Sequence, residues 1–171
     1  VALDKESQLD SVSRSEFLQR LTLIQKDLVR VRIEALLQRR DYSTFELSEK
    51  LRLDGFFIPV VEKAVARAVE VGLLNDQRYA DLYVRSKVSQ GWGPLKISCE
   101  LKQRGIEPTL LDGWPDTYLP LENQREHAHM LAQRKRLTGK NDYGKIVRFL
   151  AAKGYPLGIC TDVAKQMLKD A

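Results

Sequence analysis

The sequence predicts an all-α protein made of three tandem, helix-turn-helix-like three-helix repeats forming an elongated, curved molecule, with an extra helix ahead of the first repeat. Three observations carry that prediction. No stretch of the 171 residues alternates apolar and polar side chains over the length of a strand, whereas apolar residues at three- and four-residue steps recur throughout. The pattern apolar-x-x-x-Leu-x-x-x-Gly-apolar occurs at 47–56, 97–106 and 146–155, a period of about fifty residues, which is room for three short helices. Gly55, Gly105 and Gly154 are each followed closely by a proline, Pro59, Pro108 or Pro156, so a helix stop precedes a helix start.

The elements follow in order. Residues 1–12 are polar and acidic and are expected to form a flexible arm. Ser13-x-x-Glu16 reads as a capping box, and Phe17, Leu21, Ile24, Leu28, Val31 and Ala35 then recur at helical spacing to about Arg40. We read this seam as packing within the chain, because at under three heptads it is short for a coiled coil. Ser43 and Glu46 make a second capping box with Tyr42 and Leu47 as its hydrophobic staple, and Pro59 opens a helix that ends at Gly72. These segments make residues 13–75 the N-terminal helix plus repeat one.

Repeat two, residues 76–120, starts at an Asn75 or Asp76 cap, and its helix places Tyr79 and Tyr83 on a core face. The run 91–105 is the most complete unit: Gly93 as N-cap, Pro94 at the first helical position, Trp92 and Ile97 as staple, and Gly105 at the left-handed stop. Trp92, Gly93, Pro94, Gly55, Gly105 and Gly154 are therefore the structural motif residues, with Trp92 an anchor and not a ligand-stacking group. A helix from Pro108 should be cut short by Gly113-Trp114-Pro115. Repeat three, residues 121–171, comprises a long polar helix over 121–137 with Ala128, Leu131 and Ala132 as its thin apolar stripe, then helices over 143–153, capped by Asp142, and 157–169.

Composition excludes several functions. No apolar run is long enough to span a membrane and no signal peptide is visible, so a cytoplasmic protein is expected. Cys99 and Cys160 read as small buried thiols, and His127 and His129, two residues apart, point to different sides of a helix, so no metal is expected. Glycine-rich phosphate loops, a Ser/His/Asp set and a paired-carboxylate motif are missing, and Gly91-x-Gly93 follows a helix where a nucleotide loop would follow a strand. The reading is a non-enzyme without cofactors.

The net charge of +5 is concentrated at the C-terminal end, where residues 121–171 carry ten Lys and Arg against five Asp and Glu. Arg134, Lys135, Lys145 and Arg148 form one basic cluster there, and Arg85, Lys87, Lys96, Lys102 and Arg104 form another in repeat two, with Arg40 in repeat one. Such clusters suit phosphate or an acidic protein partner. Lys96 should face away from the core, with Lys87 and Arg104 extending the same exposed surface.

The run Leu74-Asn75-Asp76-Gln77-Arg78-Tyr79-Ala80-Asp81-Leu82-Tyr83-Val84-Arg85-Ser86-Lys87, continuing through Gly91-Trp92-Gly93-Pro94-Leu95-Lys96-Ile97 to Glu100-Leu101-Lys102-Gln103-Arg104-Gly105-Ile106, resembles the RecX family, bacterial regulators of the RecA recombinase. Residues 35–51 are similar to the opening repeat of that family, and Lys145 to Tyr155 match it more loosely. The resemblance implies a monomer that binds RecA and RecA–DNA filaments and inhibits recombinase, ATPase and coprotease activity in recombination, DNA repair and the SOS response. It implies basic contact positions at Lys87, Lys96 and Arg104, with Arg40 beside them. It also leaves room for weak direct binding to single- or double-stranded DNA. A tandem-repeat DNA-binding module acting without RecA is the competing class, since short capped helices joined by glycine turns also describe helix-turn-helix units.

Overall fold

The computed structural model describes residues 14–136 and 138–169, and among these it contains helices and turns but no strand. Eight α-helices follow one another: α1 (Arg14–Leu37), α2 (Thr44–Leu53), α3 (Ile58–Glu70), α4 (Asp76–Ser89), α5 (Pro94–Gln103), α6 (Leu121–Gln133), α7 (Asp142–Lys153) and α8 (Leu157–Lys169), with a 3₁₀ turn at Pro108–Leu110. The all-helical prediction therefore holds. The expected arm over residues 1–12 and the cap at Ser13 lie outside the described residues. The chain divides into two compact units, Val1–Leu74 and Asn75–Ala171. No described helix is long and apolar enough to cross a membrane.

In the first unit, α1, α2 and α3 enclose Val29, Ile33 and Leu36, Leu47 and Leu51, and Val60, Val61, Val65 and Ala68. The box at the start of α2 forms as read: Glu46 N–H donates to Ser43 Oγ at 3.1 Å, and Ser43 N–H reaches the Glu46 carboxylate at 3.5 Å. Ahead of α3, the Phe57 N–H donates to Gln25 Oε1 of α1 at 2.8 Å, so a side chain satisfies an amide that the helix itself leaves open. Arg32 of α1 and Lys50 of α2 both hold Asp54, at 2.7 and 3.0 Å, which ties the end of α2 to α1 and keeps the Asp54 carboxyl below its ordinary pKa.

The apolar seam of α1 does not face the core as expected. Phe17 (55% exposed), Ile24 (56%), Leu28 (55%) and Val31 (61%) stand in solvent, as does Ala35, and Leu21 is half-buried. The buried stripe is Val29, Ile33 and Leu36, roughly 120° round the helix at 100° per residue. Only the last third of α1 packs deeply, so a short buried triplet decides its orientation against a longer apolar series on another face. The helix is also continuous, without a break near Lys26.

In the second unit, Ala80 and Val84 of α4 meet Ile97 and Leu101 of α5, with Ile106 and Leu111 closing the cluster. The helix expected from Pro108 is reduced to one 3₁₀ turn. Gly113 has a φ of 70° and the Trp114–Pro115 peptide is cis, so the chain turns there, and Trp114 Nε1–H instead donates to Ser98 Oγ of α5 at 3.0 Å. Ala128 and Ala132 let α6 lie close against α8, where Ile159, Cys160, Val163 and Ala164 pack with Ile146 and Leu150 of α7. Cys160 is buried as expected, whereas Cys99 is exposed, on the solvent side of α5. α6 stops at Gln133, and Asp142 is the first residue of α7 and not its cap. Its carboxylate accepts the Thr138 and Gly139 amides at 2.9 and 2.6 Å, bracing the turn before the helix.

The glycines of the repeated pattern all adopt the expected left-handed conformation, φ 91° at Gly55, 71° at Gly105 and 90° at Gly154. Gly154 does more than end a helix. Gly93 N–H donates to Lys153 O at 2.8 Å, Leu95 N–H donates to Gly154 O at 3.0 Å, and Tyr155 Oη–H reaches Gly91 O at 3.3 Å. The start of α5 is thus hydrogen-bonded, backbone to backbone, to the end of α7.

Candidate partner-binding surface

The docking of α5 on α7 fixes the position of Trp92, which precedes the joint, and Trp92 organises the charges around it. The indole is half-buried against the Ile97 and Leu101 cluster, which fits the anchor role. Lys96 Nζ, one turn into α5, lies 4.0 Å from the indole centroid, and Lys87 Nζ, in the last turn of α4, lies 4.7 Å from it. Lys87 is also 5.3 Å from the Tyr83 ring, over which the Arg104 guanidinium sits at 4.6 Å. Tyr83 in turn stacks on Tyr79, the centroids 6.1 Å apart and the planes 11° from parallel. Cations and rings therefore alternate, Lys96, Trp92, Lys87, Tyr83, Arg104, along one ribbon. Ring quadrupoles hold the ammonium groups at fixed places without neutralising them.

The ribbon unites the three cations that sequence reasoning set apart, but all three are half-buried where an exposed surface was expected, because their side chains lie along the rings. Arg104 is half-buried and ion-paired with Glu100 at 2.6 Å, and Tyr83 Oη–H donates to the same carboxylate at 3.3 Å. The Arg104 hydrogen bond holds the Glu100 carboxyl below its usual range, against the opposite pull of burial. Burial foremost, with the neighbouring Glu100 carboxylate, pushes the Tyr83 hydroxyl up to about 12. Lys87 donates to the neutral Gln90 side chain at 3.2 Å, and among the described residues neither Lys87 nor Lys96 is in an ion pair, although Lys96 helps to lower the Glu100 carboxyl, so these two carry most of the ribbon's uncompensated charge.

Other candidate residues fall elsewhere. Arg85 pairs with Asp81 at 3.0 Å and lies 5.2 Å from the Tyr118 ring, and Tyr118 Oη–H donates to Asp81 at 2.8 Å, which makes a separate, charge-balanced cluster. Lys102 pairs with Glu107 at 3.7 Å. Arg40, in the first unit, covers the Tyr42 ring at 3.6 Å and pairs with Glu46 at 3.1 Å. In repeat three, Lys145 is taken up by Asp142 and Thr138. Arg134 and Arg148 are exposed, and Lys135 Nζ sits 4.2 Å from the Phe149 ring with Lys153 on the same ring at 6.0 Å. Phe149 and Tyr83 are the groups that sequence reasoning missed as charge-positioning platforms. The available signal was a cation four residues from each, Lys87 after Tyr83 and Lys153 after Phe149, which is one helical turn. No group of three or more potential metal ligands occurs among the described residues. A cavity of about 450 Å³ in the first unit is lined by Val29, Ile33, Val60, Ala64 and Ala68, among others, and touches none of the candidate residues.

Comparison with known proteins places these features in one family. Residues 75–112 match the family model described as RecX, second three-helix domain, a segment that contains α4, Trp92 and α5. The chain is 33% identical over 137 residues to the regulatory protein RecX of Legionella pneumophila (strain Corby), covering 77% of this chain and 89% of that one. It is 35% identical over 131 residues to the regulatory protein RecX of Pseudomonas savastanoi pv. phaseolicola (strain 1448A / Race 6), covering 71% and 80%. The fold resembles a crystal structure of regulatory protein RecX, with TM-score 0.73 and 22% identity over 93% of this chain and 80% of that chain. It also resembles that of RecX from Lactobacillus salivarius, with TM-score 0.69 and 22% identity over 87% and 99%.

Proposed function

This chain belongs to the RecX family of regulatory proteins, and from that premise we propose that it binds RecA and RecA–DNA filaments in the cytoplasm and inhibits their recombinase, ATPase and coprotease activities by contact, not by catalysis. The observation that carries the reading is the placement of Lys96 and Lys87 on the Trp92 indole at the end of the ribbon. Two ammonium groups held 4.0 and 4.7 Å from one anchored ring, neither in an ion pair among the described residues, form a preset bidentate positive feature. Acidic side chains or phosphates on a filament supply its complement, and Lys135 with Arg148 adds a second contact of the same sign. Because the lysines are positioned before binding, little side-chain entropy is lost on docking.

A DNA-binding module acting without RecA is the competing reading, and the ribbon's geometry weighs against base stacking. The Trp92 face is occupied by lysines, and Tyr83 is covered by Arg104, so neither ring offers a free platform for a nucleobase. Co-sedimentation with preformed RecA–DNA filaments separates the two. The RecA reading expects binding that is retained at near-physiological salt and depends on RecA, whereas binding to bare DNA with a steep salt slope supports the alternative.

A further inference from the structure

The exposed seam of α1 is an apolar face without a partner among the described residues, and its spacing narrows what can cover it. Phe17, Leu21, Ile24, Leu28, Val31 and Ala35 alternate steps of four and three, the a/d spacing of a two-stranded coiled coil, over a length of about 27 Å at 1.5 Å per residue, under three heptads and so enough for a weak pair only. Deep packing within the unit uses another face of the helix, so the seam is exposed along its length except at Leu21, which is half-buried. We propose that it binds α1 of a second copy of this chain, antiparallel, about a two-fold axis beside Lys26.

Size complementarity points to a second copy and to the antiparallel sense. Pairing α1 with itself in opposite direction sets Phe17, the largest seam residue, against Ala35 of the second copy, the smallest. Leu21 then meets Val31 and Ile24 meets Leu28, and the two-fold repeats each layer. A parallel pair would instead oppose Phe17 to Phe17 at one end and Ala35 to Ala35 at the other, crowding one layer and leaving a void in the last. Charge agrees at both ends. Arg20 and Glu34 flank the seam at positions that meet in the antiparallel pair, where each joins an existing intrahelical pair, Arg20 with Glu16 at 2.7 Å and Glu34 with Arg30 at 3.5 Å. Asp27 meets its own copy near the axis, the single like-charged contact of the set. The same patch thus serves both partners, as an isologous interface requires. The family resemblance alone implies a monomer.

Sedimentation velocity of the full chain from 1 to 100 μM, with no RecA or DNA, tests the proposal. The expected result is a concentration-dependent dimer that Leu28→Asp abolishes. Ala35→Phe, at an exposed site, is expected to weaken dimerisation at least tenfold, and Phe17→Ala combined with Ala35→Phe to restore it, because the large and small partners are merely exchanged. Circular dichroism checks that each variant keeps its helix content. A monomer throughout the concentration range overturns the proposal, as does a dimer indifferent to Leu28→Asp. Failure of the double variant to recover what the single Ala35→Phe loses overturns the antiparallel pairing.

Discussion

Gly93 and Gly154 approach so closely that neither has room for a side chain: a Cβ on Gly93 would stand 2.4 Å from the Gly154 carbonyl carbon, and one on Gly154 would stand 2.3 Å from Lys96 Cβ. The obstacle is backbone in the first case and the root of a side chain in the second, so a rotamer change relieves neither. Gly93→Ala and Gly154→Ala are each expected to destabilise the second unit by about 3 kcal/mol or more. Gly154 adds the cost of a left-handed residue with a Cβ, about 1 kcal/mol. Gly55→Ala is the control. Its φ is 91° but nothing lies within 4 Å of the added Cβ, so only that strain of about 1 kcal/mol applies. Urea denaturation of the three variants checks the order, and a Gly93→Ala variant as stable as the parent would show that the joint yields.

Trp92 is an anchor that is only half-buried, so Trp92→Ala is expected to cost about 2–3 kcal/mol, short of the ~3–5 kcal/mol typical of a fully buried aromatic. Part of that loss is the contact with Lys87 and Lys96, roughly 0.5–1 kcal/mol each. Trp92→Phe keeps the staple with a weaker ring and should recover most of the stability. Thermal unfolding compares the two substitutions, and equal losses from both would mean that indole-specific contacts dominate.

The Glu100–Arg104–Tyr83 contacts set two limbs of the pH profile. Glu100 has a folded pKa below its ordinary value, so its contribution is present above the ordinary carboxylate range and is lost as pH falls through the lowered value. Tyr83 and Tyr155, both pushed up to about 12 by burial first of all, behave in the opposite sense: their contribution is complete below pH 10 and disappears between 10 and about 12. Absorbance titration should therefore show Tyr83 and Tyr155 ionising late, with Tyr118 also raised by burial and its hydrogen bond to Asp81, and loss of helix following them. Arg104→Gln is expected to flatten the acid limb, and an acid limb unchanged in that variant would assign it to other carboxylates.

Much of this was legible in sequence, for reasons that differ by residue. Ser43 with Glu46, Gly93 with Pro94, and the three left-handed glycines are local signals, because backbone sterics and cap hydrogen bonds act within one turn. The orientation of α1 was not legible, since Phe17, Leu21, Ile24, Leu28, Val31 and Ala35 form a cleaner periodic series than the buried Val29, Ile33 and Leu36. Choosing between them requires knowing where α2 and α3 lie. The same holds for charge. Spacing marked Lys87, Lys96 and Arg104 as one basic surface, but that Arg104 is held by Glu100 while the two lysines join no ion pair among the described residues depends on how α4 and α5 pack. Reversal of all three charges would consequently disturb the fold through Arg104, and a functional test belongs on the lysines alone.

The most direct test is inhibition of DNA-dependent ATP hydrolysis by RecA, titrated with the parent chain and with Lys87→Glu/Lys96→Glu at near-physiological salt, after circular dichroism has shown the variant to be folded. The parent is expected to inhibit and the double variant to need at least about tenfold more protein for half-inhibition, since two preset contacts of ~1 kcal/mol or more become repulsive. A folded double variant with the parent's dose response would contradict the assignment of this surface to the filament.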